Sequence, residues 1–302
     1  CTLTSYRRIN AKPGLDLKGL AEDDEIVRVL IASAPHADTF GYSMPPPGLL
    51  RLGGALEAAG HETHLEDLAF RQAGGSLGEG DQIFTEAAEL LAAQGPMDML
   101  GLSVMGATLP AALLIAQHYR TLEPSTPIVL GGPGATGIDA AILERFEAID
   151  VVVRGEAECT LPNMLRRMAE GRDLVGVAGI TRRDETGRVI VEADRPQIKD
   201  LNELPAPAWH LVAPLSAYKE ITGENEGLVP IDSGRGCSYD CSFCTIGRYW
   251  SRRSRCLPPG RLVDEILQAT SFAGARQAYL CHDLFGANRA GEIGRASCRE
   301  RV

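Results

Sequence analysis

Three of the chain's eight cysteines lie close together in the stretch RGCSYDCSFC. They are Cys237, Cys241 and Cys244, with the spacing C-x3-C-x2-C. Because their number is odd, they cannot all pair with one another in disulfides. Three thiolates from one loop can bind three irons of a 4Fe–4S cluster and leave the fourth iron without a protein ligand. An open metal position of this kind is where substrate or cofactor chemistry can take place.

A structural zinc site is the alternative for the same loop. Structural zinc takes four ligands, and Cys256 could complete a four-thiolate set. Cys256 ends the basic segment GRYWSRRSRC (247–256), where a free thiol is the favoured interpretation. The arginines of this segment are interpreted as a solvated face by default, or else as a site for an anionic partner.

Composition restricts the remaining classes of function. The 302-residue chain has a formal net charge of -10, which disfavours general binding to nucleic acids or anionic membranes. No apolar run is long enough to span a bilayer, and the first residues lack the apolar stretch of a signal peptide. The dispersed cysteines fit a reducing compartment, so we expect a cytoplasmic protein of two domains.

The elements that must position the cysteine loop alternate between strands and helices. Apolar runs predict strands over 25–35, 61–68, 97–105, 126–132 and 149–156. Helical periodicity predicts helices over 48–60, 81–95, 109–124, 138–148 and 161–171. Repeated strand–helix units predict a parallel sheet covered on both faces, which is a doubly wound, Rossmann-like (flavodoxin-like) α/β domain over 26–175.

Ligands of such sheets bind at the carboxyl ends of the strands. The segments that follow the predicted strands here are 33–48, 103–108, 131–137 and 154–158. One of them contains Gly132-x-Gly134-x-x-Gly137 between a strand and a helix, which is compatible with a dinucleotide pyrophosphate, although Pro133 removes one N–H donor. Glycines that only permit a tight turn are the alternative.

The second half of the chain starts a new β/α series. A hairpin over 179–196 and a proline-rich ordered linker over 198–218 form the predicted connection (176–225). A strand (227–234), the cysteine loop, a helix (257–274) and a strand (276–285) then begin an incomplete barrel domain over 226–291. The cysteines therefore follow the first strand of this series, at the end where β/α barrels place their chemistry.

The cysteine loop resembles the signature of the radical S-adenosylmethionine (radical SAM) superfamily, C-x3-C-x-aromatic-C, with Phe243 at the aromatic position. The resemblance implies that the three cysteines bind the cluster, that S-adenosylmethionine chelates the open iron, and that Phe243 lies near its adenine. It implies reductive cleavage to a 5′-deoxyadenosyl radical, with electrons from a donor such as flavodoxin or ferredoxin. YLCHDLFGAN (279–288) resembles the family's D-D-x-F block, which makes His282 and Asp283 candidate catalytic residues; capping of the strand end is the alternative.

The order of domains resembles the cobalamin-dependent radical SAM subgroup, whose members begin with a B12-binding Rossmann-like domain. Blocks such as LGLSVM, VLGGPGAT and VVRGEAECTLPNML are similar to that domain and imply a set of cofactor-binding residues: Ser103, Gly131, Gly132, Gly155 and Glu156. No D-x-H-x-x-G motif occurs, and HADTFG (36–41) has the wrong order. We therefore expect base-off cobalamin without a protein His ligand. Gly134 stands where the family's G-G-P-H has its His.

The resemblance implies methyl transfer through methylcobalamin to an unactivated carbon or phosphorus of a small-molecule or natural-product substrate. A radical oxidative cyclase, or another radical SAM reaction without methyl transfer, is the enzymatic alternative. A cobalamin- or metal-binding module without catalysis is the other, although an electron carrier would need a fourth cluster ligand. A nicotinamide-binding first domain also stays open.

Both ends of the chain carry expectations of their own. Residues 1–25 are predicted to be an N-terminal leader. The last eleven residues, EIGRASCRERV, correspond to one reading frame of a common sequencing adapter, so we interpret 292–302 as an assembly artefact and assign Cys298 no function. A real basic tail is the alternative, and the codons of the gene distinguish the two. We expect the natural chain to continue after about Gly291 into barrel strands absent here, and the 302-residue polypeptide to be inactive.

Overall fold

The structure is a computed structural model that describes residues 26–35, 44–222, 228–274 and 276–286. The predicted leader, the HADTFG segment and the last eleven residues lie outside the described residues. The strands are β1 (Arg28–Ser33), β2 (Glu62–Asp67), β3 (Met99–Ser103), β4 (Ile128–Gly131), β5 (Val151–Val153), β6 (Ile180–Arg183), β7 (Val189–Val191), β8 (Leu228–Asp232), β9 (Gly234–Arg235), β10 (Arg255–Cys256) and β11 (Gln277–Cys281). The helices are α1 (Pro47–Ala58), α2 (Leu68–Ala73), α3 (Gln82–Ala92), α4 (Leu109–Leu122), α5 (Asp139–Arg145), α6 (Ala157–Ala169), α7 (Leu215–Thr222), α8 (Ile246–Tyr249) and α9 (Pro259–Ala273).

The first half forms the predicted parallel sheet. Strand order is β2-β1-β3-β4-β5-β6-β7, and the first five strands of this order are parallel. The order 2-1-3-4-5 is that of flavodoxin-like folds, in which ligands bind where the order reverses, between β1 and β3. The mostly parallel α/β fold predicted from the alternating elements is confirmed.

Both faces of the sheet are covered, which explains the nearly continuous apolar runs of its strands. Leu30 of β1 packs on one face in a cluster with α3 and α4, while Val29 and Ile31 pack on the other face with α1 and α6. The carboxyl ends of the strands are thereby held at one edge of a rigid layer.

Four details differ from the prediction. The hairpin at 179–196 was predicted to be part of the connection between the domains. It instead extends the first sheet, because β6 pairs antiparallel with β5 through Val153↔Ile180. Helix α2 is additional; the Asp67 carboxylate caps it by accepting from the Phe70 N–H. Helix α6 begins at Ala157, earlier than predicted, so that Pro162 lies inside it. Helix α7 begins within the proline-rich segment and ends at Thr222, where no helix was predicted.

The linker packs closely against α1. The Ala208 N–H donates to the Leu50 carbonyl (2.9 Å), and a Cβ added at Gly54 would lie 1.9 Å from the Ala206 carbonyl oxygen. Only glycine therefore permits this approach of helix and linker.

Gly54→Ala is expected to lower the free energy of unfolding by about 1–3 kcal/mol, because a backbone oxygen cannot move aside as a side chain can. Urea unfolding followed by circular dichroism measures the change. Gly48→Ala in the same helix is the control, since a Cβ there has no neighbour within 4 Å. Equal stability of the two variants would contradict the predicted clash.

The second half contains a strand–helix–strand unit, as predicted. Strands β8 and β11 pair in parallel, α9 connects them, and the short strands β9 and β10 pair antiparallel beside them. A buried cluster joins this unit to the first half: Leu50 and Trp209 pack with Val229, Ile231 and Leu262. Within the described ranges, no helix combines the length and the apolar character needed to cross a membrane.

Candidate functional site

The cysteine loop connects β9 to α8. All three cysteines are free; Cys241 is exposed, whereas Cys237 and Cys244 are half-buried. Among the described residues, no three Cys, His, Asp or Glu side chains are close enough together to bind one metal ion. The donor set nevertheless has the chemistry that an iron–sulfur cluster requires, because three uncommitted thiols lie on one short, accessible loop. The predicted role of these cysteines as metal ligands remains a prediction.

The base of this loop has a constrained backbone. Gly236 has φ +89°, and a Cβ at this position would lie 2.0 Å from the Arg253 carbonyl oxygen. Its N–H donates to the Asp283 carboxylate (2.7 Å). His282 lies 3.3 Å from the Ser254 hydroxyl, and its ring is about 3 Å from the place a Cβ on Gly234 would take. The structure thus brings His282 and Asp283 to the start of the cysteine loop, and their catalytic role stays a prediction.

Most of the predicted cofactor-binding residues meet at the carboxyl edge of the sheet. Ser103 is in register with Gly131, and both are half-buried. The Gly155 N–H donates to the Thr136 hydroxyl of the loop after β4 (3.1 Å). Phe243 lies on the cysteine loop, and its side chain is 89% exposed. These placements do not test the predicted contacts.

The glycine-rich loop after β4 packs directly on the loop after β3. Gly132 has φ +105°, and a Cβ there would lie 2.5 Å from the Val104 carbonyl oxygen. A Cβ on Gly134 would lie 2.4 Å from Met105 backbone atoms. The backbone of the loop after β3 therefore occupies the space beside these two glycines that a side chain would need. This favours the interpretation of the glycines as turn and packing residues over the pyrophosphate interpretation.

Glu156 is surrounded by protein donors. Its carboxylate accepts from Arg235 (2.8 Å), from Arg255 (2.9 Å) and from the Ile198 N–H (2.8 Å). Burial lowers the pKa of Arg235, but the charges of Glu158 and Asp232 outweigh this effect and hold that pKa well above its usual value. A partly buried cluster of charges therefore joins the end of β5 to the residues around the cysteine loop.

The arginines of the basic segment divide into two groups. Arg248, Arg252 and Arg253 are exposed, as a solvated face requires. Arg255 is not part of that face, because it pairs with Glu156 and lies 5.1 Å from the Trp250 ring centre. The nearby Tyr249 hydroxyl donates to the Gly155 carbonyl (3.2 Å), and burial, followed by the charge of Glu158, raises the pKa of Tyr249 to about 12.

One buried carboxylate at the carboxyl edge of the first sheet was not singled out in the sequence analysis. Asp67 ends β2 in register with Ser33 and accepts from the Ser33 hydroxyl (3.0 Å) and the Tyr218 hydroxyl (2.9 Å). Burial raises the pKa of Asp67 above its ordinary value. An aspartate three residues before Phe70 is a helix-cap signal that could have been noticed, but Tyr218 is distant in sequence and gives no such signal.

Tyr218→Phe is expected to destabilise the chain by about 1–3 kcal/mol, because Asp67 stays buried and loses a donor. The urea midpoint measures this loss. Tyr239→Phe is the matched control, since Tyr239 is 61% exposed. Equal midpoints for the two variants would show that the bond to Asp67 contributes nothing.

Comparisons with known proteins agree with this arrangement. Residues 35–165 match the B12 binding domain family. An uncharacterized methyltransferase of Pyrococcus horikoshii is 26% identical over 88% of this chain and 55% of its own length. The anaerobic magnesium-protoporphyrin IX monomethyl ester cyclase of Synechocystis is 32% identical over 80% of this chain and 46% of its own length. The chain thus spans about half the length of these curated relatives.

Two solved structures share the fold. The radical S-adenosylmethionine methyltransferase TsrM from Kitasatospora setae, with cobalamin and a 4Fe–4S cluster bound, aligns with TM-score 0.66 at 23% identity, over 91% of this chain and 51% of that one. The cobalamin-dependent S-adenosylmethionine radical enzyme OxsB, with aqua-cobalamin and S-adenosylmethionine bound, aligns with TM-score 0.68 at 20% identity, over 92% and 37%. Residues 35–165 thus form a B12 binding domain, and the chain as a whole is similar to B12-binding radical SAM proteins.

Proposed function

We propose that this chain is the part of a B12-dependent radical SAM enzyme that holds its cofactors. We propose further that the enzyme transfers a methyl group to an unactivated carbon or phosphorus of a small-molecule or natural-product substrate. One observation carries the proposal: the C-x3-C-x-F-C loop is attached by hydrogen bonds and ion pairs to the carboxyl edge of a B12-binding-type sheet. Two cofactor sites of different domains would then lie side by side.

Cys237, Cys241 and Cys244 would hold the 4Fe–4S cluster, which with S-adenosylmethionine supplies the radical chemistry. The exposed Phe243 is available to contact the adenine of that cofactor. Asp283 accepts from the Gly236 N–H and so would fix the backbone directly before Cys237, the first of the three cysteines. The second domain is proposed to be the start of a partial (β/α) barrel, with β8 and β11 as its first parallel pair.

Cobalamin would lie against the carboxyl edge of the first sheet, near Ser103, Gly131, Gly132 and Gly155. No D-x-H-x-x-G motif occurs in the chain, and HADTFG after β1 has its residues in another order, which supports base-off binding without a protein His ligand. A flavodoxin or ferredoxin is proposed as the electron donor, and the cytoplasm as the compartment.

Cyclisation is the second candidate reaction, because the Synechocystis relative at 32% identity is a cyclase. Methyl transfer is favoured because several further relatives have this activity in their names, among them the hopanoid C-3 methylase of Methylococcus capsulatus and the cobalamin-dependent radical SAM methyltransferase TokK of Streptomyces tokunonensis. A C-deuterated methyl donor distinguishes the two reactions, since only methyl transfer places the label in the product.

The test is anaerobic reconstitution with iron and sulfide, with and without hydroxocobalamin, followed by metal analysis and visible spectroscopy. About four irons per chain and retained cobalamin are expected. Iron without cobalamin would leave a plain radical SAM protein with a different ligand on its first domain. Zinc without iron would refute the assignment of the cysteine loop.

A further inference from the structure

Two consecutive residues at the end of β5 hold both flanks of the cysteine loop. Before the loop, Arg235 donates to the Glu156 carboxylate (2.8 Å). After the loop, Arg255 donates to the same carboxylate (2.9 Å), and the Tyr249 hydroxyl donates to the Gly155 carbonyl (3.2 Å). The loop is therefore fastened to the first domain on both sides of its three cysteines.

These contacts are shielded from water. The side chains of Glu156, Arg235 and Arg255 are 5%, 9% and 10% exposed. Charge pairs with so little solvent are screened much less than surface pairs, and losing one partner leaves the other charge buried without compensation. Arg235 and Arg255 are also register partners in the β9–β10 pair, so one carboxylate facing two guanidinium groups holds the paired start and end of the loop segment against the first domain.

Both oxygens of Glu156 are already used within the protein. Oε1 accepts from Arg235, and Oε2 accepts from Arg255 and from the Ile198 N–H. Arg255 also donates to the Ile198 carbonyl, so the linker segment is part of the same assembly. Such a carboxylate is a structural connector between domains, and direct contact with a cofactor would require it to release these partners.

We propose that Glu156 is a positioning residue for the cysteine loop, and not the cofactor ligand that the sequence motif predicts. The cluster site is then built by both domains, because the first domain supplies the carboxylate that holds the loop's two paired flanks in place. The inference rests on the proposed function only in taking a 4Fe–4S cluster to be the loop's ligand.

The first test uses the 302-residue chain before reconstitution. Alkylation of each cysteine by iodoacetamide is followed by mass spectrometry, with Cys281 on β11 as the internal reference. In Glu156→Gln we expect the half-buried Cys237 and Cys244 to react about tenfold faster, because the local opening of the loop becomes easier. Cys281 should react at an unchanged rate.

The second test is the reduction potential of the reconstituted cluster. Glu156→Gln removes one negative charge near the loop, so the potential is expected to become more positive. A loss of general stability alone would not shift the potential in this direction.

Glu192→Gln is the matched control, because Glu192 forms an ion pair with Arg182 of similar exposure in the same sheet. Tyr249→Phe is the second variant, for the case that Glu156→Gln does not fold. It removes only the hydroxyl that reaches the Gly155 carbonyl, and a smaller acceleration at Cys237 and Cys244 is expected.

Unchanged alkylation in Glu156→Gln and in Tyr249→Phe would overturn the inference, as would an equal acceleration in Glu192→Gln. Failure of the proposed function has a different signature. If the wild-type chain takes up no iron while Glu156→Gln still accelerates Cys237 and Cys244, the positioning role stands and the cluster assignment is refuted.

Discussion

Cys241→Ala is expected to reduce the iron of the reconstituted chain from about four per chain to background. The visible absorption of the cluster should disappear with the iron. The reason is the number of ligands: the loop has only three thiolates, and one substitution leaves two. Cys241 is also the most exposed of the three, so its replacement disturbs the fold least.

Cys256→Ala is the matched control, because it separates the cluster from the zinc alternative. A 4Fe–4S cluster on Cys237, Cys241 and Cys244 keeps its iron when Cys256 is replaced, whereas a four-thiolate zinc site would lose its metal. Iron retained by Cys241→Ala would mean that the loop does not hold the cluster. Metal lost from Cys256→Ala would mean that four cysteines bind it.

Local patterns were sufficient to predict the main strands and helices of the fold. The apolar strands and the periodic helices depend on residues close in sequence, and the five strand–helix repeats are present with boundaries shifted by a few residues. The hairpin around Gly187 could be predicted for the same reason. Its pairing with β5 could not, because an edge strand can pair with any strand of suitable pattern.

Contacts between residues distant in the sequence could not be predicted from local patterns. Glu156 lies 79 residues from Arg235 and 99 from Arg255, and Tyr218 lies 151 from Asp67. A motif therefore suggested Glu156 as a cofactor ligand, while its surroundings give it protein partners. By contrast, the spacing of the three cysteines is a local property, and the sequence alone could indicate their chemistry.

The junction of the two halves depends on charge as well as on apolar packing. At the carboxyl edge of the first sheet, Glu156 and Glu158 face Arg235. Beside the buried Leu50 and Trp209, a second connection joins α1 to α9 through Arg51 and Glu265. Asp232 links the two connections, because its carboxylate lies 2.9 Å from Arg235 and 3.8 Å from Arg51. One continuous set of largely buried charges therefore fixes the second unit against the first, and it should be costly to break.

Glu265→Ala is expected to lower the free energy of unfolding by about 3–5 kcal/mol. The side chains of Arg51 and Glu265 are fully buried, and their two parallel hydrogen bonds measure 2.8 Å each. Although burial lowers the pKa of Arg51, Glu265 outweighs that effect and keeps it above its usual value, so this guanidinium stays charged. Without Glu265, the nearest carboxylate to Arg51 is Asp232 at 3.8 Å, and a charge remains buried without adequate compensation.

Urea unfolding measures the effect, with Glu62→Ala as the control because the Arg28–Glu62 pair is exposed and should leave the midpoint almost unchanged. The double variant Arg51→Met/Glu265→Leu should recover most of the lost stability, since an apolar pair leaves no charge to be solvated. If Glu265→Ala unfolds at the same urea concentration as Glu62→Ala, the α1–α9 ion pair does not hold the two halves together. If Glu265→Ala is destabilised and the double variant is not, the stability lost is that of an uncompensated charge, and apolar packing at this junction can replace the ion pair.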